Sequence, residues 1–187
     1  SIRRQRQMCI RDRSMVEQGD ADAFITGLYT KYSNTIKVAK DVIGIREGYN
    51  TFGTMHILNT QKGIFYIADT LINRHPDQDV LVDIAKLSAG TVKFFNEEPV
   101  MAMLSYSNFG TDAQGSPVKV KNAVEAMQKE FPDLAIDGEM QVNYALKKQL
   151  RDEKYPFSRL KGKDVNTLVF PNLSSANGAY KLLQALS

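Results

Sequence analysis

One stretch constrains this chain more than any other. Val100 to Leu104 is an unbroken apolar run, Ser105 to Ser116 is small and polar, and Pro117 opens a helical pattern. The apolar run has the length and composition of a buried strand. Strand, Gly/Ser loop and helix form the unit from which open α/β sheets build ligand sites at the carboxyl ends of their strands. Such a loop can turn backbone N–H groups toward an anion, and the helix start adds the positive end of its dipole. The same residues also make an ordinary βα connection. Neither G-x-G-x-x-G nor the Walker A pattern is present to decide between the two.

The rest of the chain repeats this grammar. Ala23 to Gly27 reads as a short strand. Ser33 to Ile43 reads as a helix capped by Ser33 or Asn34, with Ile36, Ala39, Val42 and Ile43 on one face and Gly44 as its stop. Residues 51–59 and 64–70 are strand-like runs around a Thr60–Gly63 turn, an antiparallel pair beside a parallel core. Asp77 caps a long helix reaching Phe95. A helix over 118–131 follows the central loop, with Lys119, Lys121 and Lys129 on a solvated face. A short strand, Leu134 to Ile136, then empties into Asp137–Gln141. A helix over 143–154, a loop over 155–162, a strand over 166–171, a polar loop over 172–178 and a last helix from Ala179 complete the pattern. Element order predicts an α/β fold: an open, mostly parallel sheet with helices on both faces. Four loops are expected on one rim: Gly27–Ser33, Ser105–Pro117, Asp137–Gln141 and Asn172–Gly178.

Charge sets the first fourteen residues apart. They hold five Arg and one Asp, so the net +3 of the whole chain leaves −1 for residues 15–187. They also hold the one cysteine, Cys9. A basic arm for nucleic acid is one reading. The preferred one is a non-native, adapter-derived tail over 1–14, so the basic pI says nothing about partners. No apolar run approaches the about 20 residues that span a bilayer. The basic start is not followed by an apolar signal core. A body without cysteine fits the cytoplasm. The body, 15–187, reads as one domain incomplete at both ends.

Chemistry-bearing constellations are sparse. His56 and His75 fall in a hairpin and a turn, without the spacing of a metal site. Ser105 and Ser107 have no G-x-S-x-G elbow and no histidine nearby in sequence, so they read as hydroxyl donors or turn residues rather than nucleophiles. Asp137 and Glu139 flank Gly138 and can divide acid and base roles, or hold neighbouring loop N–H groups.

Longer matches carry a family resemblance. Residues 103–110 (MLSYSNFG), 136–141 (IDGEMQ), 155–160 (YPFSRL), 168–173 (LVFPNL) and 177–184 (NGAYKLLQ) resemble the phosphate acetyl/butyryltransferase family, as do 33–37 (SNTIK), 42–44 (VIG) and 67–69 (IAD). The resemblance runs from about Asp20 to the end of the sequence. It implies a phosphotransacetylase-like fold of the isocitrate/isopropylmalate dehydrogenase-like architecture, here truncated. Asn108-Phe109-Gly110 and the 155–160 loop are most similar to the carboxyl-terminal domain of large bacterial NADP-dependent malic enzymes.

Two departures bear on mechanism. The family carries Arg where this chain has Lys37, and lysine cannot form a planar bidentate phosphate clamp. The stand-alone transferases usually carry Thr-Lys-Gly where this chain has Asn108-Phe109-Gly110, which removes a cation. A Ser-Arg segment and an Asp implicated in the family's catalysis lie beyond Ser187. The resemblance therefore implies a regulatory domain that binds acetyl-CoA as effector, with no cofactor of its own. The malate, NADP and divalent-metal sites would lie in amino-terminal malic domains outside this sequence.

On this reading Ser105, Ser107, Asn108 and Gly110 line the effector cleft. Ser33, Thr35 and Lys37 join them, with Lys37 meeting a phosphate of CoA. Asp137, Glu139, Asn172 and Asn177 set loop shape or touch the acyl end. No catalytic residue and no metal ligand is assigned. The expected partners are acetyl-CoA, the malic domains and further copies of the chain, with no nucleic acid and no membrane. The competing readings are a phosphate acetyltransferase that moves an acetyl group between CoA and phosphate, and an oligomerisation module.

Overall fold

The structure is a computed structural model, and it describes residues 10, 14–25 and 31–186. The chain divides into two compact units, Ser1–Tyr49 and Asn50–Ser187. In the first, helix α1 spans Tyr32–Val42. Its N-cap is Lys31, which makes no side-chain cap bond, so Ser33 lies inside the helix rather than capping it. Gly44 ends it as expected, in a left-handed conformation (φ 79°) with its N–H on the Lys40 carbonyl at 3.1 Å. Val38 is the buried residue of α1, while Ile36, Ala39 and Val42 are half-buried and Ile43 is exposed. The strand expected over 23–27 is not formed at 23–25, and Thr26 and Gly27 lie outside the described residues. So do Leu28 to Thr30 of the first expected rim loop and most of the 1–14 tail.

The second unit is an open five-stranded sheet in the order β1-β2-β5-β3-β4. The strands are β1 Met55–Thr60, β2 Gly63–Ala68, β3 Val100–Leu104, β4 Ala135–Met140 and β5 Thr167–Val169. β1 and β2 form the antiparallel hairpin expected from the Thr60–Gly63 turn, and β2, β5, β3 and β4 run parallel. Period-two alternation sorts the side chains of these buried strands onto two faces. Met101, Met103, Ala68, Val169 and Ile136 enter one core, and Ala102, Leu104, Ile67, Leu168 and Ala135 enter the other.

The first core is covered by α2 (Gln78–Phe94) and α3 (Ser116–Glu130) through Leu81, Ile84, Ala85, Val120, Ala123, Val124 and Met127. The second is covered by α4 (Val142–Leu146) and α6 (Leu173–Leu186) through Ala145 and Ala176, with Leu160 from a loop. Each fully buried Leu, Ile or Met contributes about 1.5–3 kcal/mol. Helices therefore lie on both faces, as element order predicts. Asp77 caps α2, accepting the Val80 N–H at 2.9 Å.

Three boundaries differ from the sequence reading. Asp137–Gln141 is not a loop: β4 continues through Met140, with all six of its residues buried. The helix expected over 143–154 breaks at Lys147 into α4 and α5 (Lys148–Lys154), because Lys147 has a non-helical backbone (φ −109°, ψ 88°). Finally, α6 begins at Leu173, so Asn177 and Gly178 are helical rather than part of a polar loop.

Gly138 is the residue that lets β4 run on. It lies opposite Met103 at φ 148°, and a Cβ there would collide with the Met103 carbonyl oxygen and stand 3.1 Å from the Met103 Cβ. Gly138→Ala is expected to cost about 3 kcal/mol or more. Urea titration followed by far-UV circular dichroism should show a markedly lower midpoint. An unchanged midpoint would mean that the backbone here relaxes freely.

Candidate functional site

The carboxyl ends of β2, β3, β4 and β5 share one rim because these strands are parallel. The β3–β4 ladder slips just before that rim. Met103 pairs with Gly138 but Leu104 pairs with Met140, leaving Glu139 as the extra residue of a bulge. Met140 thereby stays with Leu104 in the second core, and Glu139 turns to the loop after β3. Its backbone carbonyl accepts the Phe109 N–H at 2.8 Å. Its Oε1 accepts the Gly110 N–H at 2.6 Å and the Ser107 hydroxyl at 3.3 Å. Glu139 is 1% exposed, and its Oε2 has no partner among the described residues.

The Ser107–Asp112 part of the loop after β3 is tied together from within and to the end of β4. The Ser107 N–H bonds Ser105 Oγ at 3.2 Å, the Asn108 N–H bonds Thr111 Oγ1 at 3.1 Å, and the Asp112 N–H bonds Ser107 Oγ at 3.0 Å. Asn108 Oδ1 accepts the Gln141 N–H at 2.8 Å and so ties the loop to the end of β4. The N–H groups of Ser107 to Asp112 are thus already engaged, two of them on Glu139. Phe109 stands at φ 46°, a conformation uncommon for a residue with a side chain. Its ring packs against Tyr155 and Phe157, with centroids 4.8 and 5.1 Å away.

Asp137 performs the loop-holding role that the sequence left open beside acid–base chemistry. Its Oδ2 accepts the Ser158 hydroxyl at 2.7 Å and the Arg159 N–H at 2.8 Å, fixing the 155–162 loop. That loop is held a second time by Arg151, which is fully buried. Its guanidinium donates to the carbonyls of Ala145, Leu160 and Lys163 at 3.1, 2.7 and 2.6 Å. Asp152 beside it supplies the counter-charge.

Asp69 at the end of β2 enters the sequence reading only as part of the 67–69 motif, with no role assigned to it. It is buried and accepts the N–H groups of Thr54, Leu71, Ile72 and Asn73, the Asn73 side-chain amide and the Thr54 hydroxyl. The signal was available: an acid ends an apolar strand and is followed by Thr70 and Asn73.

Of the predicted residues, Ser105, Ser107, Asn108, Gly110, Asp137 and Glu139 come together at the β3 and β4 ends. Asn172 starts α6, accepting the Ser175 N–H at 2.9 Å. Asn177 lies one turn into that helix and donates to the Thr70 carbonyl at 3.4 Å. Ser33, Thr35 and Lys37 belong to α1 of the first unit, where Ser33 and Lys37 are exposed and share a face. Lys119 is not on a solvated face. It is half-buried and bridges the carbonyls of Pro76 and Pro171 at 2.7 and 3.0 Å, with its pKa pushed down by burial. Among the described residues, no group of His, Cys, Asp and Glu is placed to hold a metal ion. No described helix is long and apolar enough to cross a membrane.

A family model for phosphate acetyl/butaryl transferase matches residues 6–187. The chain belongs to this family. It is 41% identical over 173 residues to the NADP-dependent malic enzyme of Escherichia coli, covering 92% of this chain and 23% of that protein. It is 35% identical over 172 residues to the phosphate acetyltransferase of Bacillus subtilis, covering 92% of this chain and 53% of the other. The crystal structure of a phosphotransacetylase from Streptococcus pyogenes superposes with a TM-score of 0.86 at 32% identity, covering 95% of this chain and 54% of that one. The chain thus spans about a quarter of the malic enzyme and about half of the transferases. This is a phosphotransacetylase-like domain.

A second cluster at the rim of this family member joins the hairpin to α6. His56 Nδ1 lies 2.6 Å from the Thr70 hydroxyl, and its ring stacks on Tyr180 at 3.8 Å. Burial, and secondarily the Lys181 charge, hold its pKa below the ordinary imidazole value of about 6.5. The unfolded chain therefore takes up this proton more readily than the folded one. The contribution of His56 to stability is complete above about pH 6.5 and declines as pH falls toward the lower folded-state value. Thermal melts at about pH 7.5 and about pH 5.5 should show a larger drop for the wild type than for His56→Gln. Equal drops would remove His56 from this linkage.

Proposed function

We propose that this phosphotransacetylase-like domain is a regulatory, acetyl-CoA-binding domain of a cytoplasmic NADP-dependent malic enzyme. The parent decarboxylates malate oxidatively to pyruvate through domains outside this sequence. The observation that carries the reading is the central loop. Between Ser105 and Ser116 it contains no lysine or arginine, one aspartate, and a buried glutamate fastened beneath it. A site that turns over inorganic phosphate needs cations or free N–H groups at the reacting oxygens. Here Phe109 occupies an aromatic cluster, and the N–H groups of Ser107 to Asp112 are spent internally or on Glu139. Such a loop suits recognition of the neutral acyl end of a thioester, with Ser105, Ser107 and Asn108 as polar contacts. The similarity to malic enzyme points the same way.

The second reading, a phosphate acetyltransferase, is favoured by the likeness to transferases over nearly the whole of this chain. The full-length parent separates the two. Malate-dependent NADP reduction should change with acetyl-CoA, and Ser107→Ala should raise the half-effective acetyl-CoA concentration about tenfold. No acetyl phosphate should form from acetyl-CoA and phosphate. If it does form, the transferase reading replaces the regulatory one.

A further inference from the structure

The 155–162 loop has an inner and an outer side. Ser158 and Leu160 are buried, held by Asp137 and the second core, while Phe157, Arg159 and Lys161 are exposed. Phe157 is 68% exposed, yet it is fixed in place. Its ring packs edge-to-face on Phe109 at 5.1 Å, and its loop is clamped by Asp137 and Arg151. A large aromatic ring held open to solvent on a rigid base is a stacking platform with little ordering left to lose on binding.

The charge around it is one-sided. Residues 147–164 hold seven basic and three acidic residues, a net of +4, with Arg151 buried beside Asp152 and Lys148 paired with Asp164. Residues 15–187 as a whole sum to −1, so the remainder of that body is −5. Arg159 and Lys161 have no ion-pair partner among the described residues. Phe109 joins this ledge directly to the Ser107–Gly110 segment. A ligand that reaches from one to the other would have a small acyl end and a planar, multiply anionic end.

We propose that the outer edge of the 155–162 loop seats the nucleotide end of the acyl-CoA. The adenine ring lies on Phe157, and the phosphates meet Arg159 and Lys161. This rests on the acetyl-CoA reading above and adds to it the part of the ligand that supplies most of the charge. The cationic loop draws the nucleotide in, and the β3 loop, which carries no lysine or arginine, reads the acyl group.

Calorimetric titration of the full-length protein tests this with two ligands, acetyl-CoA and acetylpantetheine, which lacks the nucleotide. Phe157→Ala should weaken acetyl-CoA binding about tenfold and leave acetylpantetheine unchanged, while Phe157→Trp retains affinity. The exposed pair Arg159→Gln and Lys161→Gln, which leaves the loop's inner anchors intact, should weaken acetyl-CoA about tenfold and flatten its salt dependence. Wild-type affinity in both variants overturns the seat while the acetyl-CoA reading stands. Equal losses for both ligands overturn it as well. If the wild type binds neither ligand, the acetyl-CoA reading itself falls, and the seat with it.

Discussion

The hydrogen bonds from Phe109 and Gly110 to Glu139 are the contact on which the β3 loop depends. A buried carboxylate is costly unless donors surround it. Glu139 meets that requirement at Oε1, with the Gly110 N–H and the Ser107 hydroxyl, while its backbone carbonyl takes the Phe109 N–H, so the acid and the loop order one another. The bulge at Gly138 makes the arrangement reachable, because in an unbroken ladder Glu139 would point with Leu104 into the second core. A glycine that avoids the Met103 carbonyl, an extra residue in the ladder and a buried acid are therefore parts of one device.

The same solution recurs along the rim. Asp69 gathers the N–H groups after β2, Asp137 holds the loop that crosses beside β4, and Glu139 holds the loop after β3. Each acid lies within a strand or directly after one and fixes a connecting loop. Arg151 does the converse from α5, gathering carbonyls instead of N–H groups. The consequence for function is electrostatic. Acids at the strand ends make the interior of the rim unfavourable for a bare anion, whereas the outer edge of the 155–162 loop is cationic.

Much of this architecture was legible in the amino-acid order. The apolar run Val100–Leu104, the Thr60–Gly63 turn and the helical spacing after Asp77 each obey local rules, because periodicity and capping depend on near neighbours. The β4 boundary was not legible. Asp137-Gly138-Glu139 has turn composition, and only burial against β3 and the loops keeps it extended. Asn172–Gly178 misled in the same way: Ser, Asn and Gly suggest a loop, yet Ala176 buried in the second core holds the segment helical. Lys119 reads as solvated from its neighbours, while its carbonyl partners lie 43 and 52 residues away.

The sequence by itself determined the order and type of the elements, the antiparallel hairpin beside a parallel sheet, the residues that converge at the β3 and β4 ends, and the resemblance that membership of the family bears out. Those properties rest on local spacing and on motifs that survive as strings. Tertiary structure alone decided what the polar residues do there. Whether a carboxylate accepts from a loop, serves as an acid or faces a ligand depends on which donors the fold brings within about 3 Å of it. The ring that packs on Phe109 and the N–H that Glu139 Oε1 accepts both come from distant segments, so their roles exist only once the sheet has formed.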